Sequence, residues 1–210
     1  LQNDDRTSPN SRRARATIVF RSTPNRNTAL LKSALNNSMD VPTNIYLVGA
    51  MGVGKSTVGR HLARMLHKGF LDCDRELEER TGASISIIFE LEGESGFRKR
   101  ESALLEELTA REHVVLATGG GAVVDGANRA LLASRGFTIY LKAPLRLLLA
   151  RTSRDKSRPL LETEDRESRI KELLKIRDPL YREVADMIVT SDQRSAKFVA
   201  REILARFKDS

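Results

Sequence analysis

One cysteine, Cys73, stands alone in 210 residues, so no internal disulfide can form and a stapled secreted scaffold is excluded. Three histidines, His61, His67 and His113, are scattered without Cys or carboxylate partners at ligand spacing, which argues against a zinc site. Long apolar runs are also missing. The best candidate, Ile45 to Val53, is interrupted by Gly49 and Gly52 and falls well short of the ~20 residues a membrane span requires. With 40% hydrophobic and 30% charged residues the composition is that of a globular chain, sized for one ordinary domain.

The net charge of +8 invites a nucleic-acid reading, but its distribution weakens it. Residues 1–43 hold seven basic side chains against three acidic ones, half of the excess. That stretch is rich in Asn, Ser, Thr and Arg and is interrupted by Pro9, Pro24 and Pro42. It cannot bury enough apolar surface to offset its ordering entropy, so a disordered basic leader is expected over 1–43. Three readings of it stay open: a flexible leader, a translated upstream stretch without function, or an Arg-rich transit peptide, the last weakened by Asp4 and Asp5.

From Asn44 onward, short β-type runs alternate with amphipathic helices. Strands are expected at Ile45–Val48, around Phe70–Leu71, at Val114–Ala117, Phe137–Leu141 and Met187–Val189. Between them, Val58, Leu62, Met65 and Leu66 fall on one helical face. Further helices are expected at Glu76–Thr81, Ser84–Leu91, Phe97–Leu108, Ala127–Ser134, from Pro144, and near Arg166–Ile176, with Ser195 capping a last one. Such alternation implies an α/β domain, a parallel sheet covered by helices on both faces.

Gly49-Ala-Met-Gly-Val-Gly-Lys55-Ser56 matches the G-x-x-x-x-G-K-[ST] pattern in full. Gly49 and Gly54 let the backbone curl so that successive N–H groups point at phosphate oxygens, with Gly52 widening the path. The loop empties into a helix N-terminus, where anions are favoured. Lys55 adds a full charge near the β- and γ-phosphates, Ser56 can ligate Mg²⁺, and Thr57 lies near the α-phosphate. The strand before and the helix after this loop make a nucleotide-binding site the expected reading.

Three further clusters bear on what receives the phosphoryl group. Asp72 and Asp74 close the second strand, where open α/β sheets bind ligands. In an extended chain they would point the same way, one toward a metal's water shell and one toward an acceptor hydroxyl. Alternatively, Asp74 is only a helix N-cap. Gly119, Gly120 and Gly121 follow a strand and allow a ligand to approach bare backbone, or form a plain flexible turn. Arg98, Arg151, Arg158 and Arg177 each border a loop or break, and Arg151, Arg154, Lys156 and Arg158 cluster between two helices in the manner of a cationic lid.

Taken together, GAMGVGKST, the Asp72/Asp74 pair, Gly96-Phe97-Arg98, Ala117-Thr-Gly-Gly-Gly121, Arg158-Pro-Leu-Leu161 and Arg177-Asp-Pro-Leu-Tyr181 resemble the shikimate kinase family, bacterial type, from Asn44 to about Phe207. The resemblance implies a P-loop three-layer α/β/α fold with a five-stranded parallel sheet in order 2-3-1-4-5. It also implies a mobile lid at about 152–163 within a domain spanning 44–210. The implied reaction transfers a phosphoryl group from ATP, with Mg²⁺, to the 3-hydroxyl of shikimate. Carried over by position, Asp74, Lys55 and Arg158 would be catalytic. Gly52, Val53, Gly54, Lys55, Ser56, Thr57, Arg151, Arg158 and Arg194 would hold ATP. Asp74, Arg98, Gly119, Gly120, Gly121 and Arg177 would hold shikimate. Ser56 would ligate the metal directly and Asp72 through water. A cytoplasmic monomer acting on small molecules, without nucleic-acid or membrane partners, is the implied setting. The rivals are a related kinase acting on gluconate or a nucleoside monophosphate, and a nucleotide-binding module gripping nucleic acid through its basic leader.

Overall fold

The computed structural model describes residues 41–153 and 165–208. The expected leader lies almost wholly outside these residues, as do most of the expected lid and, with it, Arg158. Strand β1, Ile45–Val48, is buried at every position. The glycine loop then leads into α1, Lys55–Leu66. Strand β2, Gly69–Asp72, passes straight into α2, Cys73–Thr81, and α3 occupies Ile85–Thr109. Next come β3, Val114–Ala117, a 3₁₀ turn at Ala122–Val124, and α4, Gly126–Arg135. The chain continues with β4, Phe137–Lys142, then α5, Leu145–Thr152, and α6, Arg166–Val184. It ends with β5, Met187–Thr190, and α7, Ala196–Lys208.

The five strands form one sheet in the order β2-β3-β1-β4-β5, and every neighbouring pair is parallel. Period-two alternation divides β1 between two cores. Ile45 and Leu47 pack with Val58, Leu62, Val199 and Ile203 from α1 and α7. Tyr46 and Val48 pack with Leu77, Leu105, Leu132 and Tyr181 from α2, α3, α4 and α6. Helices therefore cover both faces, as the alternation implied. The order places β1, carrying the glycine loop, between β3 and β4. The carboxyl ends of β1, β2 and β3 thus converge on one edge, the place where such sheets bind ligands. No helix among the described residues is long and apolar enough to cross a membrane.

Three local expectations need correction. The break in α3 is a single residue, Gly93, at φ 68° and ψ −179°, rather than a gap from Leu91 to Phe97. A left-handed φ costs glycine little, so one residue turns the axis. Helix α6 runs through Pro179 to Val184, well past Ile176. The proline removes one helical hydrogen bond, and burial of Tyr181 and Val184 in the core holds the last turns despite it. Finally, Asp72 and Asp74 are not two residues of one extended strand. The helix starts at Cys73, with Asp72 as its N-cap and Asp74 in its first turn. The Asp72 carboxylate accepts weakly from Arg75 N–H at 3.5 Å. The capping role raised for Asp74 belongs to its neighbour.

Candidate active site

The glycine loop is built from backbone conformations that a side chain would strain. Gly49, Gly52 and Gly54 have φ of 139°, 75° and 102°, and a Cβ on Gly49 would strike the Leu141 carbonyl. Gly54 is the N-cap of α1, so the helix's first N–H groups open directly onto the loop. Lys55 folds back over it, donating from Nζ to the carbonyls of Gly49 at 2.7 Å and Ala50 at 3.1 Å. Val53 is fully buried and turns its side chain into the core. Only its main chain is left to meet a ligand.

A cleft of about 370 Å³ opens over this loop, lined by Gly52, Gly54, Lys55, Ser56, Thr57, Asp72, Asp74, Arg151 and Arg194, with Met51 and Gly120 among its other walls. Arg151 ties the loop to the end of β5, donating to the Val53 carbonyl at 3.0 Å and to that of Asp192 at 3.1 Å. Arg194 is held flat by Asp192 at 2.7 Å and Glu202 at 2.9 Å, with its guanidinium 4.8 Å from the centre of the Phe198 ring. Both arginines can face a base and its phosphates.

Asp74, Met51 and Gly120 also line a second pocket, with Arg98, Glu101, Phe97, Arg177 and all three glycines from 119 to 121. The two pockets thus meet at Asp74. Arg98 is anchored from below: Nη1 donates to Glu101 at 2.6 Å and Nη2 to Glu94 at 3.0 Å. Glu101 is 3% exposed, and burial raises its carboxyl above the usual range despite Arg98. Its Oε1 is buried without a hydrogen-bond partner among the described residues. A Cβ on Gly119 would collide with that atom, and one on Gly121 with the Arg98 guanidinium. Here Gly119 and Gly121 admit the close approach of Glu101 and Arg98, side chains of the chain itself, so the triplet is more than a plain flexible turn.

Arg177 is buried and has no carboxylate partner among the described residues. Its guanidinium lies 3.4 Å from the Gly120 carbonyl and beside the Tyr181 hydroxyl. Burial, aided by the charge of Arg98, lowers its affinity for its proton. Two guanidinium groups therefore face one small pocket, and among the described residues only that of Arg98 has an ion-pair partner. That arrangement attracts a carboxylate. Cys73 is buried, and burial beside Asp74, Glu101 and Asp72 pushes its thiol up, so it is packing rather than chemistry.

Sequence reasoning placed every described site residue except Val53 at one of these two pockets. It missed Glu101 and Met51. Glu101 stands in a helix with seven other glutamates or arginines nearby in the chain, and nothing in the sequence marks it as the buried one. Only its spacing of three from Arg98 on a helix offered a signal.

Comparison with known proteins agrees with this geometry. The shikimate kinase family profile matches residues 51–208. A shikimate kinase from Acinetobacter baylyi is 55% identical over 169 residues, covering 80% of this chain and 94% of its own. The structure of shikimate kinase from Acinetobacter baumannii in complex with shikimate is 54% identical, with a TM-score of 0.78, covering 80% of this chain and 93% of its own. A gluconokinase from Sinorhizobium meliloti, 22% identical with a TM-score of 0.52 over 80% of this chain and 94% of its own, shares the fold alone. With a glycine loop, a two-arginine pocket and relatives that match along nearly their whole length, this chain belongs to the shikimate kinase family.

Proposed function

We propose that the paired pockets transfer the γ-phosphoryl group of ATP to the 3-hydroxyl of shikimate, giving ADP and shikimate 3-phosphate. Membership of the family carries the kinase activity and the substrate. The observation that carries the residue assignment is that the nucleotide cleft and the two-arginine pocket share Asp74.

In this reading the backbone N–H groups of Gly52 to Thr57 and the start of α1 hold the phosphates, while Arg151 and Arg194 flank the base. Lys55 leaves the Gly49 and Ala50 carbonyls for the phosphate oxygens. Arg158, outside the described residues, is assigned to the same charge from its motif. Arg98 and Arg177 take the carboxylate of shikimate as a pair of forked donors. Asp74, at their junction, accepts a hydrogen bond from the attacking hydroxyl and takes its proton as the bond to phosphorus forms. The transition state is loose and demands little covalent chemistry, so alignment and charge dispersal supply most of the acceleration.

The cleft also offers Ser56 Oγ and the Asp72 carboxylate. That hard, sparse oxygen set suits Mg²⁺, which keeps several waters and is held by one or two protein oxygens plus phosphates. Ser56 would hold it directly and Asp72 through water. Bound there, it would supply positive charge to offset that of the nucleotide phosphates.

Coupled ADP release with ATP and each acceptor in turn tests the assignment. Shikimate should stimulate release, whereas gluconate and nucleoside monophosphates should leave it at the background. Gluconate-driven release above that with shikimate would overturn it. So would salt-sensitive DNA binding, lost on deleting residues 1–43, in a protein that no acceptor stimulates.

A further inference from the structure

The triglycine turn is the one wall of the acceptor pocket with no side chains of its own to fix it. Glycine peptides rotate with little steric resistance, yet this turn has to present its groups in a constant direction. A tyrosine from another element meets that need. Tyr181, 1% exposed on α6, donates its hydroxyl to the Gly120 carbonyl in a short hydrogen bond. Its ring is fixed in turn by stacking on Tyr140, with centroids 5.0 Å apart. Burial pushes the Tyr181 hydroxyl up to about 12, so it remains a donor at neutral pH.

We infer that Tyr181 is a positioning residue for the acceptor, locking the Gly120–Gly121 peptide through its hydroxyl and thereby setting the aim of both the turn and Arg177. This rests on reading the two-arginine pocket as the shikimate site. A trans peptide puts the Gly121 N–H on the side opposite the Gly120 carbonyl, so a hydroxyl that fixes one fixes the other. Arg177 Nη1 sits 3.4 Å from the same carbonyl, a marginal contact, and its guanidinium also lies beside the Tyr181 hydroxyl oxygen, so the phenol orients the turn and the arginine together. With Tyr181 satisfying that oxygen, the Arg177 guanidinium is left for the ligand. Without the hydroxyl, a buried carbonyl would draw Arg177 toward itself, since unpaired buried acceptors are costly.

Tyr140 supplies a matched control. Its ring belongs to the same stack, but its hydroxyl donates to Asp178 at 2.7 Å and does not touch the turn. Steady-state kinetics in both substrates on Tyr181→Phe, Tyr140→Phe and Arg177→Ala form the test. Tyr181→Phe should raise KM for shikimate roughly five- to tenfold, the worth of one buried hydrogen bond, and leave KM for ATP within about twofold. Tyr140→Phe should leave both within about twofold.

If Tyr181→Phe leaves KM for shikimate unmoved while Arg177→Ala raises it, the pocket stands and this inference falls. Equal effects of the two Phe variants would mean a merely structural role, which also sinks it. An Arg177→Ala variant with unchanged KM for shikimate would overturn the pocket assignment and this inference with it. Amide exchange at Gly121 gives a readout independent of turnover. It should be faster in Tyr181→Phe than in the unaltered protein, and equal rates in the two would refute the lock.

Discussion

Between Gly49 and Gly54 the cleft wall is mostly main chain, turned by three glycines at positive φ and ending on a helix N-terminus. Past Asp74 the wall changes character. The acceptor pocket is made of long side chains from α3 and α6, anchored by a buried carboxylate and a buried phenol. Phosphate is recognised alike on any nucleotide, so a contiguous loop of N–H groups suffices for it. A small hydroxylated acid has to be distinguished from its relatives, and groups from remote parts of the chain converge to do so.

The sharpest way to break this division is to compare Lys55→Met with Asp74→Asn. Lys55→Met removes the one full charge that the loop contributes, and turnover should fall by more than about a thousandfold, as for loss of a group that stabilises transition-state charge. Asp74→Asn keeps the shape of the junction and removes the proton acceptor. Turnover should drop by about 10²- to 10⁴-fold while ATP still binds with near-normal Kd, read by nucleotide titration. Equal losses of ATP affinity in both variants would show that Asp74 belongs to the phosphate side, and the boundary drawn here would be wrong.

Legibility in the sequence follows the same boundary. The phosphate loop could be read from eight consecutive residues, because its geometry is set locally by glycine and by the helix that follows. Alternation along β1 and the pattern of Val58, Leu62 and Met65 likewise announced the layers. Strand order and the acceptor pocket came only with the family resemblance, since they depend on which elements meet. Asp72 and Asp74 show the limit well. Both reach the cleft as expected, but through a helix start rather than an extended strand, because α2 begins at Cys73, directly after β2 ends at Asp72. Glu101 carried no signal beyond its spacing of three from Arg98, since tertiary burial is what separates it from the other glutamates of α3.

That burial can be tested on a single helix. Glu101→Gln removes the carboxylate that aims Arg98 and leaves a guanidinium only 21% exposed without its main counter-charge. Because Arg98 keeps Glu94, the cost should be that of one unsatisfied buried group, about 1–3 kcal/mol of stability, read as a shift in the urea midpoint. KM for shikimate should rise while KM for ATP stays put. A rise in both would mean that Arg98 supports the fold of the whole cleft rather than the acceptor side.

Glu107, six residues further along α3, forms with Arg80 an ion pair as short as that of Glu101, at 2.5 Å, but on the surface. The hydrogen bond from Arg80 pulls its carboxyl down to about 2. A depressed carboxyl lends stability above its unfolded value near 4.5 and loses it as pH falls toward 2. The stability gap between the unaltered protein and Glu107→Gln should therefore be widest above about pH 5, narrow on acidification toward pH 3, and close in 1 M salt, where exposed charges are screened. Kinetic constants for both substrates should not move. Were this exposed pair to match the buried one in its effect on stability, burial would not be what distinguishes the acceptor side, and the strength of Glu101 would have to come from its geometry with Arg98 alone.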